Sequence, residues 1–278
     1  MIVVNQLSFG YKKSKGKLFE DFSLELMQGR VYGLLGKNGV GKSTLLYLMS
    51  GLLAPQKGEV CLGGINVFKR LPATLREIFL VPEEFELPRL KLRKYIDLNA
   101  PFYPRFDREK LYAYLNDFEM GTDLDLGSLS MGQKKKVFIS FALAANTSLL
   151  LMDEPTNGLD IPAKSQFRKI IASGMTDEKT ILISTHQVRD IDKLLDHVLI
   201  MDKNKLLADR SVHEICQKLL FSEQASGEST DGALFVQPSV HGNSVLSPNV
   251  AGEDSELNLE LLFNAVLAGP EKINQLFD

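Results

Sequence analysis

Gly36-Lys37-Asn38-Gly39-Val40-Gly41-Lys42-Ser43-Thr44 has the spacing Gly-x4-Gly-Lys-Ser/Thr, that of a loop built to wrap a phosphate. Val31 to Leu35, before it, is a short apolar run of strand type, entered through a turn at Gly29-Arg30. Lys42 to Leu53, after it, reads as a helix, with Leu45, Leu46, Leu48, Met49 and Leu52 as its apolar positions. Gly36, Gly39 and Gly41 open backbone conformations closed to other residues, so the loop can turn its N–H groups inward around a phosphate. The helix N-terminus adds the positive end of a dipole. Lys42 is expected to reach the β- and γ-phosphates, and Ser43 to ligate Mg²⁺. A strand before and a helix after separate this reading from a glycine-rich turn with a solvated lysine.

The chain has 278 residues, enough for one large or two small domains. Its 44% hydrophobic and 24% charged content is that of a soluble globular protein. A net charge of −3 gives no overall basic field for nucleic acid or an anionic membrane. Cys61 and Cys216 are the only cysteines and lack metal-ligand spacing, which suits a reducing cytosol. The N-terminus lacks the pattern of a signal peptide, and the best apolar run, Val137 to Met152, is broken by Ser140 and Asn146-Thr147-Ser148. A membrane role is expected to come through a partner.

Ile2 to Asn5, then Leu7 to Tyr11, and Leu18 to Leu26 read as a β-hairpin around a basic turn, Lys12 to Lys17. Tyr11 either stacks on a base or packs on the hairpin edge. Gly58 to Gly64 and Ile78 to Val81 are further strands. Strands interspersed with helices predict an α/β fold with a mixed, mainly parallel sheet and an antiparallel N-terminal β part. From Leu90 to Leu126 the pattern turns helical, with helices around Leu92–Leu98 and Glu109–Phe118. Between them, Pro101-Phe102-Tyr103-Pro104-Arg105-Phe106 either docks a partner or fills a subdomain core.

Leu129-Ser130-Met131-Gly132-Gln133 stands before a helix expected from Lys134 to Ala145, a second anion-binding candidate; Lys134-Lys135-Lys136 there also reads as a solvated face. Leu149-Leu150-Leu151-Met152 is a buried strand that ends in Asp153 and Glu154. An Asp in that position helps hold Mg²⁺, and Glu154 is placed to polarise an attacking water. Pro155 to Asp160 leads into a helix from Pro162 to Gly174, and the strand Thr180 to Ser184 ends at Thr185-His186. Ligands bind at the carboxyl ends of such strands, so His186 is expected at the γ-phosphate.

Together, from Ile2 to Ala208, these elements resemble the ATP-binding subunit of an ABC (ATP-binding cassette) transporter, a P-loop NTPase. Gly36 to Thr44 resembles the family's Walker A loop, Leu129 to Gln133 its signature sequence, and Leu149 to Glu154 its Walker B strand. Gly158-Leu159-Asp160 is similar to the D-loop, His186 to the switch histidine and Tyr11 to the adenine-stacking aromatic. The resemblance implies ATP held by Tyr11, Gly36, Asn38, Gly39, Gly41, Lys42, Ser43 and Thr44. It implies Mg²⁺ held by Ser43, Asp153 and Glu83, with Glu154, His186 and Lys42 in the hydrolytic step. It also implies a head-to-tail dimer, homo- or heteromeric, in which Ser130, Gly132, Gln133 and Asp160 serve the partner copy's nucleotide. A separate transmembrane permease, and a place on the cytoplasmic face of the membrane, complete what the family implies. Two positions depart from its pattern: Glu83 stands where Gln is usual, and Met131 where Gly is commonest.

The resemblance places the cassette at residues 1–212, with a helical subdomain at about 88–130, and a small α/β extension at 213–278. His213 to Leu220 reads as a helix, Phe221 to Gly232 as a flexible loop and Ala233 to Val236 as a strand. His241-Gly242-Asn243 reads as a turn, and Leu257 to Val266 as a helix ended by Gly269-Pro270. A soluble ABC-type ATPase acting on nucleic acid or ribosomes is the alternative. It usually carries two cassettes or a long coiled coil, and this chain has one phosphate loop and no sustained heptads. A module that uses ATP only to dimerise is a third class.

Overall fold

The computed structural model describes residues 1–12, 16–240 and 242–277. Lys13, Ser14 and Lys15 of the basic turn expected from Lys12 to Lys17 lie outside the described residues. Ile2–Phe9 (β1) and Phe19–Leu26 (β2) form the expected hairpin, with Ile2 opposite Leu26 and Val4 opposite Leu24. Val31–Gly36 (β3) leads into Lys42–Met49 (α1). Lys57–Leu62 (β4) returns to the free edge of β1, and Ile65–Asn66 (β5) closes this antiparallel sheet in the order β2-β1-β4-β5. A one-turn helix, Pro72–Leu75 (α2), and Ile78–Val81 (β6) follow.

The helical part comes next, as Leu92–Asn99 (α3), Arg108–Asp117 (α4) and Met131–Ala144 (α5). The aromatic segment between α3 and α4 divides its labour. Tyr103 and Phe106 pack on Phe141, with ring centroids 6.4 and 4.9 Å away, while Phe102 stands 70% exposed. The start of α5 corrects the sequence reading. The helix begins at Met131 rather than Lys134, because Ser130 and Gln133 form a capping box. The Ser130 hydroxyl accepts from the Gln133 N–H, and the Gln133 side chain accepts from the Ser130 N–H.

Leu149–Asp153 (β7), Ile161–Gly174 (α6) and Thr180–Thr185 (β8) complete the nucleotide-type core. His197–Asp202 (β9) and Lys205–Ser211 (β10) extend the sheet to six strands, in the order β10-β9-β3-β8-β7-β6. All neighbours are parallel except β10, which runs antiparallel to β9. Every residue of β3, β7 and β8 is buried, as expected of a parallel sheet covered on both faces.

Beyond β10 stand Val212–Lys218 (α7) and a three-stranded antiparallel sheet of Leu219–Ala225 (β11), Phe235–Ser239 (β12) and Gly242–Pro248 (β13), ordered β11-β13-β12. Leu259–Ala268 (α8) and Pro270–Asn274 (α9) end the fold. Two expectations are corrected here. The stretch expected to be a loop from Phe221 begins inside β11. Gly242 and Asn243, expected in a turn, open β13, where they pair with Ala225 and Gln224; His241 lies outside the described residues. Leu262 and Val266 of α8 belong to the same continuous core as Val198 and Ile200 of β9.

Candidate nucleotide-binding and hydrolytic site

Adjacent parallel strands deliver the chemistry side by side. The register sets Leu35 of β3 beside Thr185 of β8, and Asp153 of β7 beside Ser184 of β8. The phosphate loop, His186, the Asp153-Glu154 pair and Glu83 therefore leave the same edge of the sheet, at the carboxyl ends of β3, β8, β7 and β6. An open cavity of about 510 Å³ lies there, walled by Tyr11, Asn38, Gly39, Gly41 and Lys42 to Thr44, with Glu83, Asp153 and Glu154 opposite.

The loop's glycines have different reasons. Gly41 has φ +107°, a conformation that side chains strain to reach, and an added Cβ would sit 2.9 Å from Phe19. Gly36 needs no such φ; a Cβ there would meet the Met201 carbonyl at 2.8 Å. Tyr11 packs on the hairpin edge, the second of its two readings, and leaves part of its ring open to the cavity. Its ring meets Phe9 edge-on at 5.0 Å, its hydroxyl lies 3.0 Å from the Thr44 hydroxyl, and it stays 48% exposed on the cavity wall.

Lys42 is 6% exposed and donates to the carbonyls of Gly36 (2.8 Å) and Lys37 (3.3 Å). Burial pushes its ammonium pKa down, and the carboxylates of Glu154, Asp153 and Glu83 oppose that shift. Its Nζ stands 3.8 Å from Oε1 of Glu154. Glu154 is 4% exposed, and its carboxylate is fully engaged. Oε1 lies 2.7 Å from His186 Nδ1, and Oε2 accepts from the Thr185 hydroxyl at 2.9 Å. An ionised carboxylate only accepts, so with Glu154 ionised the proton of that contact sits on Nδ1. Glu154 itself adopts φ +44°, left-handed for a residue with a side chain. Such strain persists where neighbours over-determine it.

The sequence reading missed a ring of residues behind this glutamate. Lys135, 5% exposed, donates to the carbonyls of Asn157 (2.9 Å) and Glu154 (3.3 Å). The Asn157 amide donates to Glu83 Oε1 and accepts from Gln187, both at 2.9 Å. Lys164 then joins Gln187 (3.1 Å) to Asp190 (2.7 Å). One signal was available: Lys135 lies four residues before Ile139, on the buried stripe of α5.

Not every predicted residue reaches the cavity. Ser130 and Gln133 are exposed at the N-terminus of α5, occupied with capping, and Gly132 lies beside them. Asp160 caps α6 by accepting from the Ala163 N–H at 2.9 Å. A larger cleft, about 900 Å³, opens between the C-terminal sheet and Arg189, but Glu223, Glu256 and Glu260 on its walls suit no triphosphate.

The donors around the phosphate loop fit Mg²⁺ in its usual manner. Among the described residues no group of three or more His, Cys, Asp or Glu forms a metal cage. Ser43, Asp153 and Glu83 on one cavity instead supply a hydroxyl and separate carboxylates. Mg²⁺ bound with a nucleotide takes few protein ligands and completes its shell with phosphates and water.

This fold is that of a P-loop NTPase. The family model for ABC transporters matches residues 19–157, half of the chain. The methionine import ATP-binding protein of Carboxydothermus hydrogenoformans is 32% identical over 231 residues, covering 77% of this chain and 67% of that one. The solved structure of an ATP binding subunit of an ABC transporter matches with a TM-score of 0.69 at 25% identity, over 77% of this chain and 91% of that one. A dimeric ATP-binding cassette bound to ADP and Pi shares the fold with a TM-score of 0.67 at 23% identity, over 76% of this chain and 99% of that one. The chain belongs to the ABC transporter family and is an ATP-binding, ATP-hydrolysing subunit.

Proposed function

We propose that the subunit works in a pair, with ATP between the phosphate loop of one copy and the Ser130–Gln133 turn of the other. The observation that carries this reading is the placement of Glu154. It sits among Lys42, Thr185 and His186 on the wall of the phosphate-loop cavity, while the second anion-binding turn faces outward. The related cassette noted above is itself a dimer.

In this reading Lys42 and the loop N–H groups hold the phosphates, and Tyr11 supports the base. Glu154 takes a proton from the attacking water, held in place by Thr185 and His186. Ser43, Asp153 and Glu83 hold Mg²⁺, which when bound neutralises phosphate charge. Ser130, Gly132, Gln133 and Asp160 complete the site across the dimer. No helix among the described residues is long and apolar enough to cross a membrane. In this reading the work of the cycle passes to a separate permease. That assembly places the subunit on the cytoplasmic face of the membrane. Closure on ATP and reopening after hydrolysis form the two-state transition.

A phosphate-release assay tests the chemistry. Lys42→Ala is expected to abolish hydrolysis. Glu154→Gln is expected to bind ATP yet lose roughly 10²-fold or more in turnover, as removal of a general base does. Near-normal turnover in Glu154→Gln would remove it as the base. Pull-down from gently solubilised membranes tests the partner: a stoichiometric multi-span protein supports the permease, and a cytosolic yield carrying RNA or ribosomes opposes it.

A further inference from the structure

The signature-turn helix and the hydrolytic strand are separate elements, and one buried ammonium ties them together. Lys135 lies on α5, five residues after Ser130. It enters the loop that follows β7 and meets only backbone carbonyls there, those of Glu154 and Asn157. An ammonium 5% exposed is not a solvated face. It exists because its partners offset the loss of water. Both carbonyls flank the point where the chain must turn. Glu154 has φ +44° and Gly158 has φ +78°, so this loop is bent at both ends.

The same loop reaches the residue that departs from the family pattern. Asn157 gives its carbonyl to Lys135 and its amide N–H to Glu83. One asparagine therefore stands between a buried cation and an added anion. Burial pushes the Lys135 pKa down, and Glu83 leads the carboxylates that oppose this, ahead of Glu154 and Asp153.

We propose that Lys135 is a positioning residue for hydrolysis: it fixes the Glu154–Asn157 backbone and, through Asn157, offsets the charge of Glu83. The proposal rests on Glu154 as the base. Lys135 touches no nucleotide; it acts by holding Glu154 where its carboxylate meets the attacking water. Because α5 also carries Ser130 and Gly132, a copy docking on that helix end pulls on the same anchor.

The test is a double-mutant cycle on the full chain, with nucleotide binding, turnover, and amide hydrogen exchange of the nucleotide-free protein measured together. Lys135→Met is expected to lower kcat roughly 10-fold or more, with KM for ATP within about 3-fold of wild type, since a lost positioning contact acts on the transition state. Exchange across residues 154–160 should rise before any nucleotide is added. Lys135→Arg should retain most of the turnover, and Lys135→Gln replaces the Met variant if that one does not fold. In the Glu83→Gln background the loss from Lys135→Met should shrink by about 3-fold or more, because the unopposed carboxylate is gone. Unchanged kcat in Lys135→Met overturns the proposal. So do losses that simply multiply across the cycle, or a fall in kcat matched by a general rise in exchange over the whole chain. Glu154→Gln in the same assay keeps the two readings apart: if it retains turnover, the base assignment fails whatever Lys135 does.

Discussion

Lys179 shows what a single buried charge does to the pH response of the fold. It is 3% exposed and donates to the Gly174 carbonyl at 2.8 Å and the Leu143 carbonyl at 3.5 Å, at the ends of α6 and α5. Burial, with help from Lys110 and Arg105, pushes its pKa down to about 8 from an ordinary 10.5. Between those values the unfolded chain holds more protons than the native one, so this group's contribution to stability rises with pH across that window. Denaturant unfolding from about pH 7.5 to about pH 9.5 should show wild type gaining stability relative to Lys179→Met as pH rises. Parallel curves would mean that the native ammonium titrates normally. Much of the cavity wall was legible in the sequence, because the phosphate loop, Asp153, Glu154 and Glu83 each stand at or just beyond the end of a buried strand. Lys135 was not, because inside a run of three lysines its position on the helix face matters more than its charge. Tyr11 stayed open because an aromatic ring at a hairpin edge suits packing and stacking equally.

Two helices begin on the same device and serve different ends. Ser130 caps α5 and Ser211 caps α7, each with a capping box completed by the third residue of its helix, Gln133 and Glu214. Ser130→Ala and Ser211→Ala should each cost about 1 kcal/mol of stability. Only Ser130→Ala should also lose ATP turnover at saturating subunit concentration, because in the proposed dimer only that turn meets the neighbouring nucleotide. Equal turnover in the two variants would leave Ser130 as a cap and nothing more. The central strands were easy to read, since β3, β7 and β8 each carry a short apolar run. The C-terminal strands were not. β11 runs into Ser-Glu-Gln-Ala, and β13 opens on Gly-Asn-Ser, compositions that favour turns. Pairing along the ladder overrides that local preference, as it often does in surface sheets.

At the scale of the molecule, the sheet divides the apolar interior. One face carries the hairpin residues with Leu45, Leu46 and Leu48 of α1; the other carries the helical part and, continuous with it, Leu259, Leu262 and Val266 of α8. Arg189, three residues after His186, pairs with Glu260 of α8 at 2.7 Å. A chain ended at residue 212 would expose the apolar surface that α8 covers on Val198 and Ile200. It should melt earlier and aggregate, as seen by thermal unfolding and sedimentation. A soluble, ATP-hydrolysing chain of residues 1–212 would instead favour the proposed division after residue 212.

The left-handed turn at Glu154 has a consequence for breeding variants. A residue with a side chain held there carries on the order of 1–3 kcal/mol of strain, which Gly would relieve. Glycine would, however, leave Lys42, Thr185 and His186 facing an emptied pocket, and losing a buried carboxylate that three groups share costs as much as the strain or more. A screen for heat resistance alone therefore has no reason to discard the glutamate: the pocket that bends this residue is also what retains it.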